Sequence, residues 1–387
     1  MTVVLATLTM IGPFTIDTVF PGFVQIGGDL DAGEAAMQQV TSVYLLSFAL
    51  MSVLHGPISD AAGRRTVMLT GLTGYVVASL VCALAPSLPV LLAGRAAQGL
   101  FAGAATIVSR AVVRDLYSGE QAQRLMSQIM MIFSIAPAVA PVIGGWLLQA
   151  GRWPVIFWFV AGYGVLAALL TVLVIPETLP REERVPLRLG AVAGGLWEVA
   201  RSGPFERLAL ATALLFGGYF VYVVAAPIIV VDLLGKGEGD FWMLFVPQIS
   251  GMALGAWVAG RVAGRVDPGR TVDRAVLGLI AAAVANVALC VVAPGLPWAV
   301  VGPALMGLAI GIAFPVLQLA MLDLFPHHRG SAASMASFAS LLFNAALAGL
   351  VVPLVTATLV TTAVTSLTLV LLGAALWWWH RRVQRGA

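Results

Sequence analysis

Charge is what this sequence has least of. Of 387 residues, 10% are charged and 60% hydrophobic, and the mean hydropathy is +0.97. Soluble domains carry about 25% charged residues, so a chain built to face water is excluded. Lysine is nearly missing, with Lys236 alone among 21 basic residues. The net charge of +3 therefore rests on arginines in or beside short breaks between apolar runs, a placement that argues against nucleic acid as a partner. Cysteine is scarce too: Cys82 and Cys290 both lie inside apolar runs, which leaves no disulfide framework. No His/Cys metal spacing, phosphate-cradling loop or Ser-His-Asp set is present. Neither a metal, a cofactor nor an enzyme is expected.

What the chain has in abundance is apolar runs of about 20 residues, each long enough to cross a hydrocarbon core of about 30 Å as a helix. Twelve such spans are read at 3–24, 37–57, 66–86, 89–112, 125–149, 154–176, 207–231, 241–262, 273–293, 297–322, 332–354 and 357–379. The first lacks a basic flank and a small-residue cleavage site, so it reads as a retained helix. The longest polar segment divides the spans six and six. The expected fold is an all-α polytopic membrane protein: residues 1–176 form one six-helix bundle, 177–206 a cytoplasmic linker, and 207–387 a second six-helix bundle. Basic residues set the orientation. Arg64, Arg65, Arg110, Arg114, Arg124 and thirteen further arginines in the later breaks fall on the N-terminal side, while Arg152 and Lys236 fall opposite. Both termini are expected in the cytoplasm.

Against this background two residues stand out. Of 18 acidic residues, Asp17 alone lies well inside a span. Arg95 is its basic counterpart. A charge at mid-bilayer costs about 2.5–3.5 kcal/mol even on insertion scales, and such residues mark ion or substrate paths. Asp17 sits six residues inside Phe23, about 9 Å at 1.5 Å per residue, and Arg95 lies equally far inside Pro89. Matching depth implies one shared cavity, in which burial and a nearby guanidinium would act oppositely on a carboxyl; a fixed structural pair is the plainer alternative. Gln98, one turn from Arg95, is expected to face the same space. Tyr44, Phe48, Tyr219 and Tyr222 are candidate cavity aromatics, while His55 is expected to cap its span or face water.

Two stretches carry conformational signals. "GPISDAAGRR" (56–65) predicts a charged turn: Gly56 for close helix approach, Asp60, Arg64 and Arg65 for charge, Gly63 for the tight bend. "GAWVAGRVAGR" (255–265) echoes it faintly in the second half. "APAVAPVIGG" (136–145) puts Pro137, Pro141, Gly144 and Gly145 inside one span, where proline kinks the helix and glycine admits a close neighbour.

Together these stretches resemble the major facilitator superfamily, and within it the bicyclomycin/chloramphenicol-resistance (Bcr/CflA) type of drug:proton antiporter. "IDTVFPGF", "GPISDAAGRRTVML", "GRAAQGLFAGAA", "RAVVRDLYS", "APAVAPVIGG", "PETL" and "FPHHRGSAASM" carry the resemblance. It implies that Asp17 is the proton- and substrate-linked acid with Arg95 as partner. It further implies an inner-side charge network of Asp60, Arg64, Arg65, Arg114 and Asp115, and a tightly packed segment of Pro141, Gly144 and Gly145 that limits proton leak. Ala61 stands where that type carries a basic residue, "GRWPVIF" departs from its G-W-R order, and Ser52 replaces a common glutamine. The expected function is proton-coupled export of small amphipathic drugs or toxic compounds across the bacterial inner membrane, by a monomer in the lipid bilayer, driven by the proton gradient. Export of a metabolite such as an amino acid, dipeptide or nucleobase is the alternative. A non-transporting membrane sensor is weaker, for want of a soluble segment to carry a signal.

Overall fold

The computed structural model describes residues 2–117, 119–325 and 329–386, and these are helical with short connections and no strand among the described residues. Twelve long helices follow in chain order among them: α1 (Thr2–Asp17), α2 (Glu34–Ala62), α3 (Arg64–Ala83), α4 (Leu88–Leu116), α5 (Gly119–Ala150), α6 (Pro154–Val174), α7 (Gly203–Val224), α8 (Trp242–Val262), α9 (Pro268–Val292), α10 (Trp298–Asp323), α11 (Arg329–Ala346) and α12 (Leu359–Gly386). Ten segments are each long and apolar enough to cross a membrane, and α1 with its continuation makes an eleventh. The remaining helix, α5, has 32 residues and contains the apolar stretch Val139–Ala150. Contacts divide the chain into two compact units, Met1–Val192 and Ala193–Ala387.

The helix boundaries follow from local chemistry. Gly63 alone separates α2 from α3, at φ +99°, a conformation an L side chain resists. Asp267 caps α9, its carboxylate accepting from the Arg270 N–H at 2.8 Å. After α11 the chain passes through a wider π-type turn, Leu347–Val351, and a short helix to Val355. Thr358 and Thr361 then exchange side-chain-to-backbone hydrogen bonds of 3.0 and 3.1 Å, which starts α12 where the sequence offered only "TATLVTTA" as a break.

The first span differs from the expected 3–24. Pro13 marks a 44° bend between Val3–Gly12 and Phe14–Asp29, since proline removes a ladder donor. Helix α1 stops at Asp17, and the chain continues through a 3-10 turn, Phe20–Gly22, into a helix ending at Asp29. The 177–206 segment is not featureless either. Leu189–Ala200 is helical, and Val185 N–H donates to the Asp60 carbonyl at 3.2 Å.

Packing inside each unit relies on small residues, as in other membrane bundles where helices gain by close contact rather than by leaving water. In the first unit, a methyl group added at Gly99 of α4 would collide with the Tyr44 carbonyl of α2. In the second, Gly251 and Gly255 of α8 press on carbonyls of α10, and Gly307 and Gly311 of α10 press back on carbonyls of α8.

Candidate functional site

Asp17 is the last residue of α1, and its side chain is 4% exposed. No hydrogen bond or ion pair engages its carboxylate among the described residues. The break in the helix that follows it is packed tightly: α5 lays Ala136 and Ala140 against Phe14, and Gly144, one turn further, against the Thr18 carbonyl. The i, i+4, i+8 spacing gives α5 one small-residue face along the end of α1. Gly144 thus admits a close neighbour at the end of α1. Pro137 and Pro141 lie inside the helix, Pro137 half-buried and Pro141 buried, and Gly145 is buried.

Arg95 is fully buried on α4 and binds three helices at once. Its Nε donates to the Val40 carbonyl of α2, and its Nη1 to the Thr15 carbonyl of α1 and to Gln98 Oε1, each at 2.9 Å. The guanidinium lies over the Tyr44 ring, 4.6 Å from the centroid. Gln98 Nε2 donates to Ser79 Oγ of α3 at 2.8 Å, and Thr15 Oγ1 meets the Tyr75 hydroxyl at 2.6 Å. The network thus stitches α1, α2, α3 and α4 just before the acid.

The fixed ion pair between Asp17 and Arg95, the plainer alternative, is not formed among the described residues. Thr15 and Asp17 are two residues apart, and helix positions so spaced do not face each other. Arg95 instead binds the backbone carbonyl of Thr15, two residues before the acid. Arg95 keeps one unpaired group, its buried Nη2.

The aromatic expectations divide. Phe48 is half-buried and stacks on Tyr44, centroids 6.1 Å apart. Tyr44 itself is 1% exposed, its face covered by Arg95, so it supports the arginine rather than opening to a cavity. Tyr222 accepts from Asn286 Nδ2 of α9 at 2.5 Å, and the Tyr219 ring sits beside Gly307 of α10. Both tyrosines are buried between helices of the second unit, which corrects their placement as cavity lining. His55 is also corrected: it is buried rather than capping or wet, and it fills the space left by Gly103 of α4.

At the α2–α3 junction the charged turn is real but built differently. Arg64 forms ion pairs with Asp60 and, at 3.1 Å, with Asp115 of α4, and its Nη1 donates to Ser59 Oγ at 2.6 Å. Arg65 does not join; its Nη2 donates to the Val172 carbonyl of α6 at 2.6 Å. The Arg114 side chain lies outside the described residues. In place of those two, sequence reasoning missed Glu177, Thr178 and Arg184. Glu177 Oε1 accepts from the Arg64 N–H at 2.9 Å, adding a carboxylate at the N-terminus of α3, where the helix dipole favours one. Its other oxygen is 3.7 Å from Arg184, and Thr178 donates to Asp115 at 2.8 Å. Gly56 needs no close approach, since a methyl group there would meet nothing within 4 Å. "PETL" preceding a charged run was the available signal for Glu177.

Spans enough for a polytopic fold, enclosing a buried acid and a buried arginine that joins helices, fit a membrane transporter of the two-bundle class. A family model for the Major Facilitator Superfamily matches residues 5–348. The chain belongs to that superfamily, and is accordingly a transporter and not an enzyme. It is 30% identical over 351 residues to the uncharacterized MFS-type transporter YdgK of Bacillus subtilis (strain 168), covering 90% of this chain and 87% of that one. It is 32% identical over 262 residues to a bicyclomycin resistance protein homolog of Haemophilus influenzae, covering 68% of this chain and 66% of the relative. The crystal structure of a D-xylose-proton symporter superposes with a TM-score of 0.75 at 16% identity over 97% of each chain, a likeness of fold alone.

Proposed function

We propose that this transporter exports a small amphipathic compound in exchange for protons, with Asp17 as the group that the two compete for. The carrying observation is that Asp17 is 4% exposed while, among the described residues, no hydrogen bond or ion pair engages its carboxylate. Buried polar groups are ordinarily paired. An acid left without a partner in a transporter is poised to take a proton or a cationic substrate in turn, each neutralising what the other leaves charged. Gly144 against Thr18 closes the packing beside it, which restricts water at the acid and so limits uncoupled proton leak. Arg95 holds the helix carrying Asp17 in register with α2 and α4, and in this reading it positions the acid rather than neutralising it.

The relative named for bicyclomycin resistance supports export of a toxic compound over uptake of a nutrient. The arginine bias supports cytoplasmic termini, and in this reading the protein works as a monomer in the bacterial inner membrane. A sensitised strain expressing the chain, screened against a panel of toxic compounds, identifies the substrate class by raised tolerance. Everted vesicles then report proton movement on adding that compound. Asp17→Asn is expected to abolish the signal with the protein still in the membrane, and retained proton movement would overturn the reading.

A further inference from the structure

Where α7 begins and α12 ends, the second unit gathers cations that its carboxylates do not neutralise. Arg207 of α7 lays its guanidinium over the Trp379 indole, 5.3 Å from the ring centroid. Its Nε is buried with no acceptor, and no carboxylate pairs with it among the described residues. His380 is 1% exposed, with Nδ1 unpartnered, and its ring stacks on Trp377 at 6.1 Å. Arg207 and Arg381 both lie within electrostatic reach of that ring. The nearby acids are already engaged: Asp273 and Asp267 lie 3.4 and 3.8 Å from Arg381, and Asp273 also accepts from Trp377 Nε1 at 2.7 Å. Arg207 is left with positive charge that no described carboxylate pairs.

The surface leading to this corner is apolar. Val364, Leu371, Leu372, Trp379 and Val383 of α12 are 43–54% exposed, and their spacing of seven or eight puts Val364, Leu371/Leu372 and Trp379 on one helix face. Leu210, one turn beyond Arg207 on α7, is also exposed. Tryptophan at the end of such a stripe marks the level of lipid headgroups.

We propose that the α7–α12 corner binds an anionic phospholipid. Its phosphate diester accepts hydrogen bonds from the Arg207 guanidinium, and an acyl chain follows the α12 stripe. Charge complementarity favours an acidic headgroup, since basic pockets between membrane helices hold such groups and guanidinium–phosphate contacts are charge-assisted. A free phosphate would use the cationic end and leave the stripe without a role, so the lipid is the better match.

The test is lipid retention by the purified full chain in mild detergent, read by native mass spectrometry, with thermal unfolding alongside. Phosphatidylglycerol is expected to be retained at least fivefold more than phosphatidylcholine. Arg207→Gln should lose that preference, while Arg382→Gln, an exposed arginine outside the cluster, should keep it. Inorganic phosphate alone should leave the melting temperature unchanged. Equal retention of the two lipids, full retention by Arg207→Gln, or stabilisation by phosphate alone would each overturn the proposal. If Arg207→Gln is not recovered folded, Arg207→Lys carries the test: it keeps the charge but lacks the planar fork, and retention equal to the wild type would overturn the assignment.

Discussion

Replacing Arg95 by lysine keeps a charge at the meeting of α1, α2 and α4 but removes the fork that spans it. The guanidinium donates three hydrogen bonds of 2.9 Å, to the Val40 and Thr15 carbonyls and to Gln98. A lysine ammonium is a compact donor on a flexible stem and can keep one of them. Hydrogen bonds between membrane helices average about 0.6 kcal/mol and reach about 1.7, so losing two costs about 1–3 kcal/mol. For a unit of roughly 200 residues each kcal/mol is worth about 2–4 °C, which places the variant roughly 2–12 °C below the wild type. Asp17→Asn is the necessary contrast. Its carboxylate holds no partner among the described residues, so the amide breaks no described contact and the melting temperature should not fall. Thermal unfolding of the purified variants in detergent measures both. Were the two residues an ion pair, removing either charge would strand the other, and breaking such a pair is strongly destabilising. A fall in Asp17→Asn matching that of Arg95→Lys, or an Arg95→Lys variant that melts with the wild type, would refute the stitching role.

Four further outcomes follow from the local surroundings of single residues. Gly144→Val drives a side chain into the Thr18 backbone beside Asp17, so transport should fall at least tenfold at equal expression, measured as tolerance conferred on the sensitised strain. Gly63→Ala forces an L residue to φ +99° and crowds Glu177 and Arg184, at about 1–2 kcal/mol for the left-handed backbone alone. Gly56→Ala, entering open space, should leave stability unchanged in the same unfolding assay. Glu177→Ala removes a carboxylate that accepts from the Arg64 N–H, and loss of such a cap costs about 0.5–2 kcal/mol, visible as a lower melting temperature.

How much of this was legible from sequence depends on what each feature needs. Span length is set by the bilayer, so the apolar runs could be read one by one, and the weakest split, at "TATLVTTA", falls where Thr358 and Thr361 cap each other. Turn chemistry was legible too, because Gly63 answers a backbone demand within its own neighbourhood. The faint repeat has a structural counterpart: Gly264, like Gly63, has positive φ at +74° just after the second span of its half. What could not be read was direction around a helix axis at long range. Depth along the spans put Asp17 and Arg95 together, but only the folded packing shows that Arg95 reaches the Thr15 carbonyl instead. Arg64 and Arg65 are neighbours in sequence and diverge for the same reason, one to Asp115 and the other to Val172. Glu177 and Arg184 lay in a stretch that looked like a solvated linker, and their role depends on that stretch folding back over the α2–α3 junction. Tyr222 was read as lining because an aromatic ring suits an apolar or aromatic cation, whereas Asn286 of α9, distant in sequence, decides its hydrogen bond.

The central claim is that one unpartnered carboxylate is shared between proton and substrate. Purified transporter in weakly buffered detergent solution, mixed with the compound identified by the tolerance screen, should release protons into the medium as that compound takes Asp17. Asp17→Asn should release none while still melting as a folded protein. Proton release from Asp17→Asn equal to that of the wild type would contradict the account.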